Sequence, residues 1–316
     1  MPSLSLPTLS LAPTTRAALW VVAGGFCATA MNVVIRYVAS ELHPFEVTFF
    51  RCFFGLLVLV PWLMRVGFGA LRTRKMGFFT LRALVSLVSM LTWFYGITLV
   101  PLATATALNF TGPLFATAGA ALILGETVRL RRWMAVIIGF LGVLLIIRPG
   151  ASTLDANLLI ILVSAATAGM GVVTVKFLSR SENATSIVTY MVLYSAPLAL
   201  IPALFVWRWP SLGALFWLLV LGALGTTAHF AVVRAYSAAD ASACAPFEFL
   251  RMPVAAIAAY LFFGEVTDSW TWVGATVIAG SSIYVAHREA VLARRAARRA
   301  LSPHPPPSAI SRNEAL

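Results

Sequence analysis

Uncharged apolar runs of about 20 residues recur along almost the whole of this 316-residue chain, and about 20 apolar residues are what one helix needs to cross the hydrocarbon core of a bilayer. Backbone polar groups in such a medium are satisfied only inside helices or closed barrels, and the strict two-residue alternation of a barrel is missing. Composition agrees: 60% of residues are hydrophobic, 11% are charged and the mean hydropathy is +0.90, whereas soluble domains carry about 25% charged residues. A soluble enzyme, a disordered chain and a secreted disulfide scaffold are thereby excluded. Cys27, Cys52 and Cys244 all fall inside apolar segments without paired or metal-ligand spacing, so they read as small buried hydrophobes.

Charge clusters, Gly and Pro divide the chain into ten hydrophobic segments, near 17–39, 43–64, 78–99, 101–124, 132–148, 156–178, 185–206, 212–236, 239–263 and 269–286. Short connections force neighbours to run antiparallel, which predicts an all-α integral membrane bundle of ten transmembrane helices. The 23 Lys and Arg residues and net charge of +12 raise the question of a nucleic-acid surface, and position answers it. With the amino terminus inside, the cytoplasmic loops hold Arg65, Arg72, Arg74 and Lys75, then Arg129, Arg131 and Arg132, then Lys176 and Arg180, while the other side has little beyond Arg148 and Arg208. The positive-inside rule therefore places both termini in the cytoplasm, and no nucleic-acid partner is expected. Residues 1–16 form a short cytoplasmic segment with no basic signal-peptide region, and the first apolar run reads as a retained helix. Residues 288–316 form a basic, Pro-rich tail whose arginines suit anionic lipid.

The chain also resembles itself. A shift of about 140 residues aligns MNVVIRYVAS, ending at Ser40, with MGVVTVKFLSR, ending at Arg180, and brings LNFTGPLFATAGAALILGE, ending at Glu126, onto FEFLRMPVAAIAAYLFFGE, ending at Glu265; Trp133 falls on Trp272. Two copies of five helices, 17–148 and 149–287, enter the membrane opposite ways up, because five is odd. Inverted repeats are the mark of alternating-access carriers with a midplane site between the halves.

These residues carry a resemblance. Two five-helix repeats, each with a Pro in its fourth helix followed by an apolar run and a Gly-Glu pair (Pro113 to Gly125-Glu126, Pro253 to Gly264-Glu265), look like the drug/metabolite transporter superfamily in its ten-helix EamA-like form. The resemblance implies a multi-pass carrier of the bacterial inner membrane for a small metabolite, with no cofactor and no catalytic activity; a homodimer is compatible with it.

Charged side chains deep in a membrane cost at least about 2.5–3.5 kcal/mol on insertion scales and so nominate themselves as functional. Glu248 and Arg251 lie about 13–18 Å into the ninth segment at 1.5 Å per residue, three apart and able to pair. They read either as binding groups for a substrate amine or proton and a substrate anion, or as a closed pair that fixes packing. The internal shift maps Glu248 onto Asn109, so both are expected to face one cavity, with an interhelical hydrogen bond as the alternative for Asn109. Arg51, about 12 Å into the second segment, joins this candidate site or ties to Glu248. Tyr95, beside Trp93 and Phe94, and Tyr190 either line a cavity or pack. His229 is a proton-coupling candidate because its pKa lies near neutrality, or a bundle histidine. Glu46 is expected to be a solvated helix-end residue, Arg36 and Lys176 to anchor at the interface, Arg234 and Asp240 to bracket a corner that can hold a gate, and Glu126 and Glu265 to contact neighbouring loops. Walker-type loops, H-E-x-x-H and G-x-S-x-G are absent from the sequence, which leaves ATP-driven pumping and familiar hydrolysis without support. The expected activity is secondary transport of an amino-acid-like, zwitterionic or anionic metabolite, with export first and import of a vitamin or S-adenosylmethionine-like compound second.

Overall fold

The computed structural model describes residues 13–66, 75–124, 130–148, 155–178, 182, 184–238, 244 and 247–301. These form α1 (Pro13–Val38), α2 (Pro44–Val66), α3 (Met76–Leu99), α4 (Leu102–Asn109), α5 (Gly112–Leu124), α6 (Leu130–Ile147), α7 (Ala156–Leu178), α8 (Ala184–Leu204), α9 (Leu212–Ala238), α10 (Arg251–Phe263) and α11 (Ser269–Leu301). Among the described residues, five stretches are long and apolar enough to cross a membrane: Thr15–Val38, Met76–Leu99, Leu102–Ile123, Ala156–Val175 and Leu212–Val232. Leu19, Leu122, Ile138, Leu159, Phe216 and Leu261 are exposed on the outer surface of the bundle, as expected where the surrounding solvent is lipid.

Local chemistry sets the helix ends. Pro44 starts α2, where a missing N–H costs nothing, and Glu46 reaches back to accept the His43 N–H at 3.0 Å, the return arm of a capping box. The other Glu46 oxygen accepts the Arg208 N–H at 2.5 Å, so this carboxylate is fully buried and is not the solvated end residue its position suggests. Two backbone donors replace the water it gives up. At the end of α10, Gly264 takes φ 66°, the left-handed stop that glycine adopts without penalty. That turn delivers Glu265 to Arg36 at 2.7 Å and to the Leu102 N–H at 2.9 Å, so Arg36 is an inter-helix partner; its guanidinium also lies 4.4 Å from the Phe263 ring centroid.

Helix α1 packs on α9, α3 on α7, α2 on α8, and α6 on α11. The α6–α11 seam is close: a Cβ on Gly142 would stand 2.9 Å from the Gly274 oxygen, and one on Gly274 would stand 2.6 Å from the Gly142 oxygen. Small residues that admit backbone contact are what lipid-embedded helices use to associate. The main buried cluster, including Ile35, Leu42, Phe94, Ile97, Leu102, Leu108, Ile161, Leu218 and Met252, gathers the last turns of α1 and α3 with the first turns of α2, α7 and α9. The same end of the bundle carries the Arg36–Glu265 and Arg148–Asp268 ion pairs.

Candidate functional site

Two helical stretches break where proline follows. Pro113 and Pro253 have no N–H to give the carbonyls of Asn109 and Phe249, so the ordinary ladder cannot continue through either point. The chain tightens instead: the Phe110 N–H donates to Ala107 at 3.3 Å, Thr111 to Leu108 at 3.1 Å, Leu250 to Phe247 at 3.2 Å and Met252 to Phe249 at 3.0 Å. The first break, between α4 and α5, is backed by two other helices. Ser282 of α11 donates its hydroxyl to the Phe110 carbonyl at 3.2 Å, and α7 comes so near that a Cβ on Gly169 would lie 2.7 Å from the Gly112 oxygen.

The breaks meet. Phe110 and Phe249 have ring centroids 4.6 Å apart. The Arg251 guanidinium lies 5.2 Å from the Phe110 centroid, within cation–π range, and its Nη2 donates to Asn109 Oδ1 at 3.4 Å. Its stem packs on α1, where a Cβ on Gly25 would be 3.7 Å from Arg251 Cβ. Glu248 acts on it electrostatically, while Arg251 Nε is buried without a hydrogen-bond partner among the described residues. The amino-terminal ends of α5 and α10 start at this junction, and helix starts carry partial positive charge. The chemistry of the junction is a cation held by neutral groups, with a carboxylate nearby.

The structure thus joins Asn109 and Arg251, with Glu248 acting on Arg251 electrostatically. It places Arg51 on α2 against α9, with its guanidinium 3.2–3.4 Å from where a Cβ on Gly225 would stand and its Nε buried and unbonded. Tyr95 stacks near His43 at 6.0 Å, and Tyr190 packs 4.6 Å from Phe79 and 5.6 Å from Tyr194; neither touches the junction through these rings. His229 lies on α9, its side chain outside the described positions, as are Glu126 and Asp240. Arg234 stands 4.9 Å from the Phe230 centroid. Sequence reasoning passed over Arg82, a charge inside the third apolar segment, which donates to Ser86 Oγ and, at 3.6 Å, to Met191 Sδ. It also passed over Asn32, whose Oδ1 accepts the Trp93 indole N–H at 3.2 Å. An isolated polar letter in an apolar run was the available signal in both cases. A surface cavity of about 630 Å³, lined in part by Glu41, His43, Trp207 and Arg208, belongs to the α1–α2 and α8–α9 turns and not to the breaks. No group of three potential metal ligands occurs among the described residues.

The chain belongs to the EamA-like transporter family, which matches residues 15–148 and again 156–286. It is therefore a multi-pass membrane protein from a family of small-metabolite transporters, not of enzymes. It is 32% identical to the S-adenosylmethionine uptake transporter of Rickettsia prowazekii, over 85% of this chain and 92% of that one. It is 31% identical to the riboflavin transporter of Vibrio cholerae, over 88% and 95%, and 28% identical to the pseudopaline exporter of Pseudomonas aeruginosa, over 82% and 92%. A protein solved by crystallography shares the fold at a TM-score of 0.56 and 18% identity, covering 91% of this chain and 99% of that one.

Proposed function

We propose that this protein is a secondary carrier of the bacterial inner membrane that imports a small zwitterionic or anionic metabolite by alternating access. The observation that carries the reading is the meeting of two proline-broken helices at Phe110 and Phe249, with Arg251 against Asn109. Discontinuous helices in corresponding positions of two inverted halves are where such carriers build their midplane site. In this reading ten transmembrane helices form two inverted five-helix repeats, 17–148 and 149–287, with both termini cytoplasmic. Arg251 takes the substrate anion, Asn109 orients it, and Glu248 takes an amine or a coupling proton. Arg51 adds a second cation on the approach. The tight end with its Arg36–Glu265 pair is then the periplasmic side in a closed state.

Import takes precedence over the export expected from the sequence because relatives with higher identity include an uptake transporter; the more distant exporter supports the reverse direction. Purified protein in proteoliposomes is the test, with labelled S-adenosylmethionine and riboflavin offered with and without a pH gradient. Saturable movement that collapses in Arg251→Ala supports the site. Saturable movement unchanged in both Arg251→Ala and Asn109→Ala rejects it. Loss of gradient dependence in Glu248→Gln identifies Glu248 as the coupling group.

A further inference from the structure

Helix α1 carries a polar line. Gly25, Thr29, Asn32 and Arg36 are spaced four, three and four residues apart, so they stack on one face. That face is turned inward along its whole length: Gly25 meets the stem of Arg251, Asn32 holds the Trp93 indole N–H at 3.2 Å, and Arg36 pairs with Glu265 at 2.7 Å. Between the first two contacts lies Thr29, only 3% exposed.

The Thr29 hydroxyl is buried and has no hydrogen-bond partner among the described residues. Four other buried threonines spend theirs on a carbonyl one turn back: Thr48 on Pro44 at 2.8 Å, Thr106 on Leu102 at 2.8 Å, Thr111 on Leu108 at 2.7 Å and Thr117 on Pro113 at 2.9 Å. The same bond is open to any helical threonine, so a buried hydroxyl that leaves it unmade bears a desolvation cost that nothing in the protein returns. A ligand group at this point would return it.

We infer that Thr29, Asn32 and Trp93 form a second subsite that recognises the uncharged ring of a substrate whose anionic group sits at Arg251. Thr29 and Asn32 are one and two turns along α1 from Gly25, about 6 and 10 Å at 1.5 Å per residue, so the ligand is an elongated molecule with an anionic end and a hydrogen-bonding flat end. Asn32 fixes the indole through its N–H, and the partly buried Trp93 ring, which also packs against the main cluster, is the aromatic surface assigned to the ligand's ring. The Arg36–Glu265 pair closes the line beyond the ring. This inference rests on the transport site proposed above and names the class of compound that fits it.

Labelled S-adenosylmethionine is the probe, since it carries a carboxylate at one end and a flat ring at the other; methionine and adenosine, each offering one end, are the competitors. Thr29→Val, close in shape, raises KM about fivefold, the loss of one hydrogen bond to an uncharged group, and Thr29→Ser restores it. Adenosine competes about fivefold more weakly in Thr29→Val and also more weakly in Asn32→Leu, while methionine competes as in wild type. A Thr29→Val protein that transports with the wild-type KM and still yields to adenosine overturns the subsite. If wild-type protein moves no S-adenosylmethionine, the proposed substrate class has failed, and the ligand-free melting temperature decides the subsite separately. A rise in Thr29→Val supports a hydroxyl reserved for ligand; a fall or no change shows that it serves the fold and overturns the inference.

Discussion

The two helix breaks share a backbone device and a phenylalanine and differ in enclosure and charge. Asn109, Phe110 and Gly112 lie 139 residues before Glu248, Phe249 and Arg251, and each break is followed by a proline. The first is enclosed: Phe110 is 7% exposed and Thr111 fully buried, with Ser282 and the α7 backbone behind it. The second holds the charges and faces outward in part, with Leu250 46% exposed. A symmetric pair of breaks would bind a ligand in two orientations. Under the proposed function, a neutral, rigidly backed wall opposite a charged one would give a polar ligand a single orientation.

That comparison can be broken by experiment. The largest effect is expected from Arg251→Ala, which removes the junction's cation and lowers kcat/KM for an anionic or zwitterionic substrate by about 10- to 150-fold, because charged hydrogen bonds are worth about 1.5–3 kcal/mol; the transport assay above reads it. Next, Phe249→Ala opens the aromatic contact between the breaks and costs about 3 kcal/mol, the low end for aromatic truncation because the ring is only partly buried, seen as a lower melting temperature in detergent. Phe110→Ala costs more than Phe249→Ala if the enclosed wall is the stiffer one, and equal losses would contradict the asymmetry. Glu265→Gln weakens the partly buried tie to Arg36 by about 1–2 kcal/mol, since the side chains retain 14% and 20% exposure and a fully buried broken pair costs more; the same melting measurement detects it. The smallest change belongs to Asn109→Ala, about threefold in KM, matching the roughly 0.6 kcal/mol average for interhelical hydrogen bonds in a membrane. In a double-mutant cycle Asn109→Ala with Arg251→Ala is non-additive; additive losses would show that the two breaks act independently.

Much of this arrangement was legible beforehand. Apolar length located the helices, and Pro113 and Pro253 marked where backbone hydrogen bonds fail. The shift that equates Asn109 with Glu248 pointed to a shared place for both, and the structure does bring Asn109 to the residue three beyond Glu248. The aromatic nominations were less informative. Tyr190 and Tyr95 sit in spans and look available, yet Tyr190 packs against Phe79 and Tyr95 lies beside His43, because any apolar cluster offers an aromatic ring a partner and composition alone cannot choose among them.

Period, length and proline position are local properties of a chain, so the sequence by itself determined that this is a helical membrane protein, roughly where each helix runs and where two of them must give way. Partnership is not local. Arg251 has Glu248 three residues away, yet its guanidinium also reaches Asn109, 142 residues distant. Arg36 finds Glu265 only because Gly264 turns the chain back at that point, and Glu46 is buried only because the Arg208 amide arrives from another helix. Each of these choices depends on the rotation of one helix about its axis relative to its neighbours, a quantity fixed by side-chain packing between segments and not encoded in the spacing within any one of them.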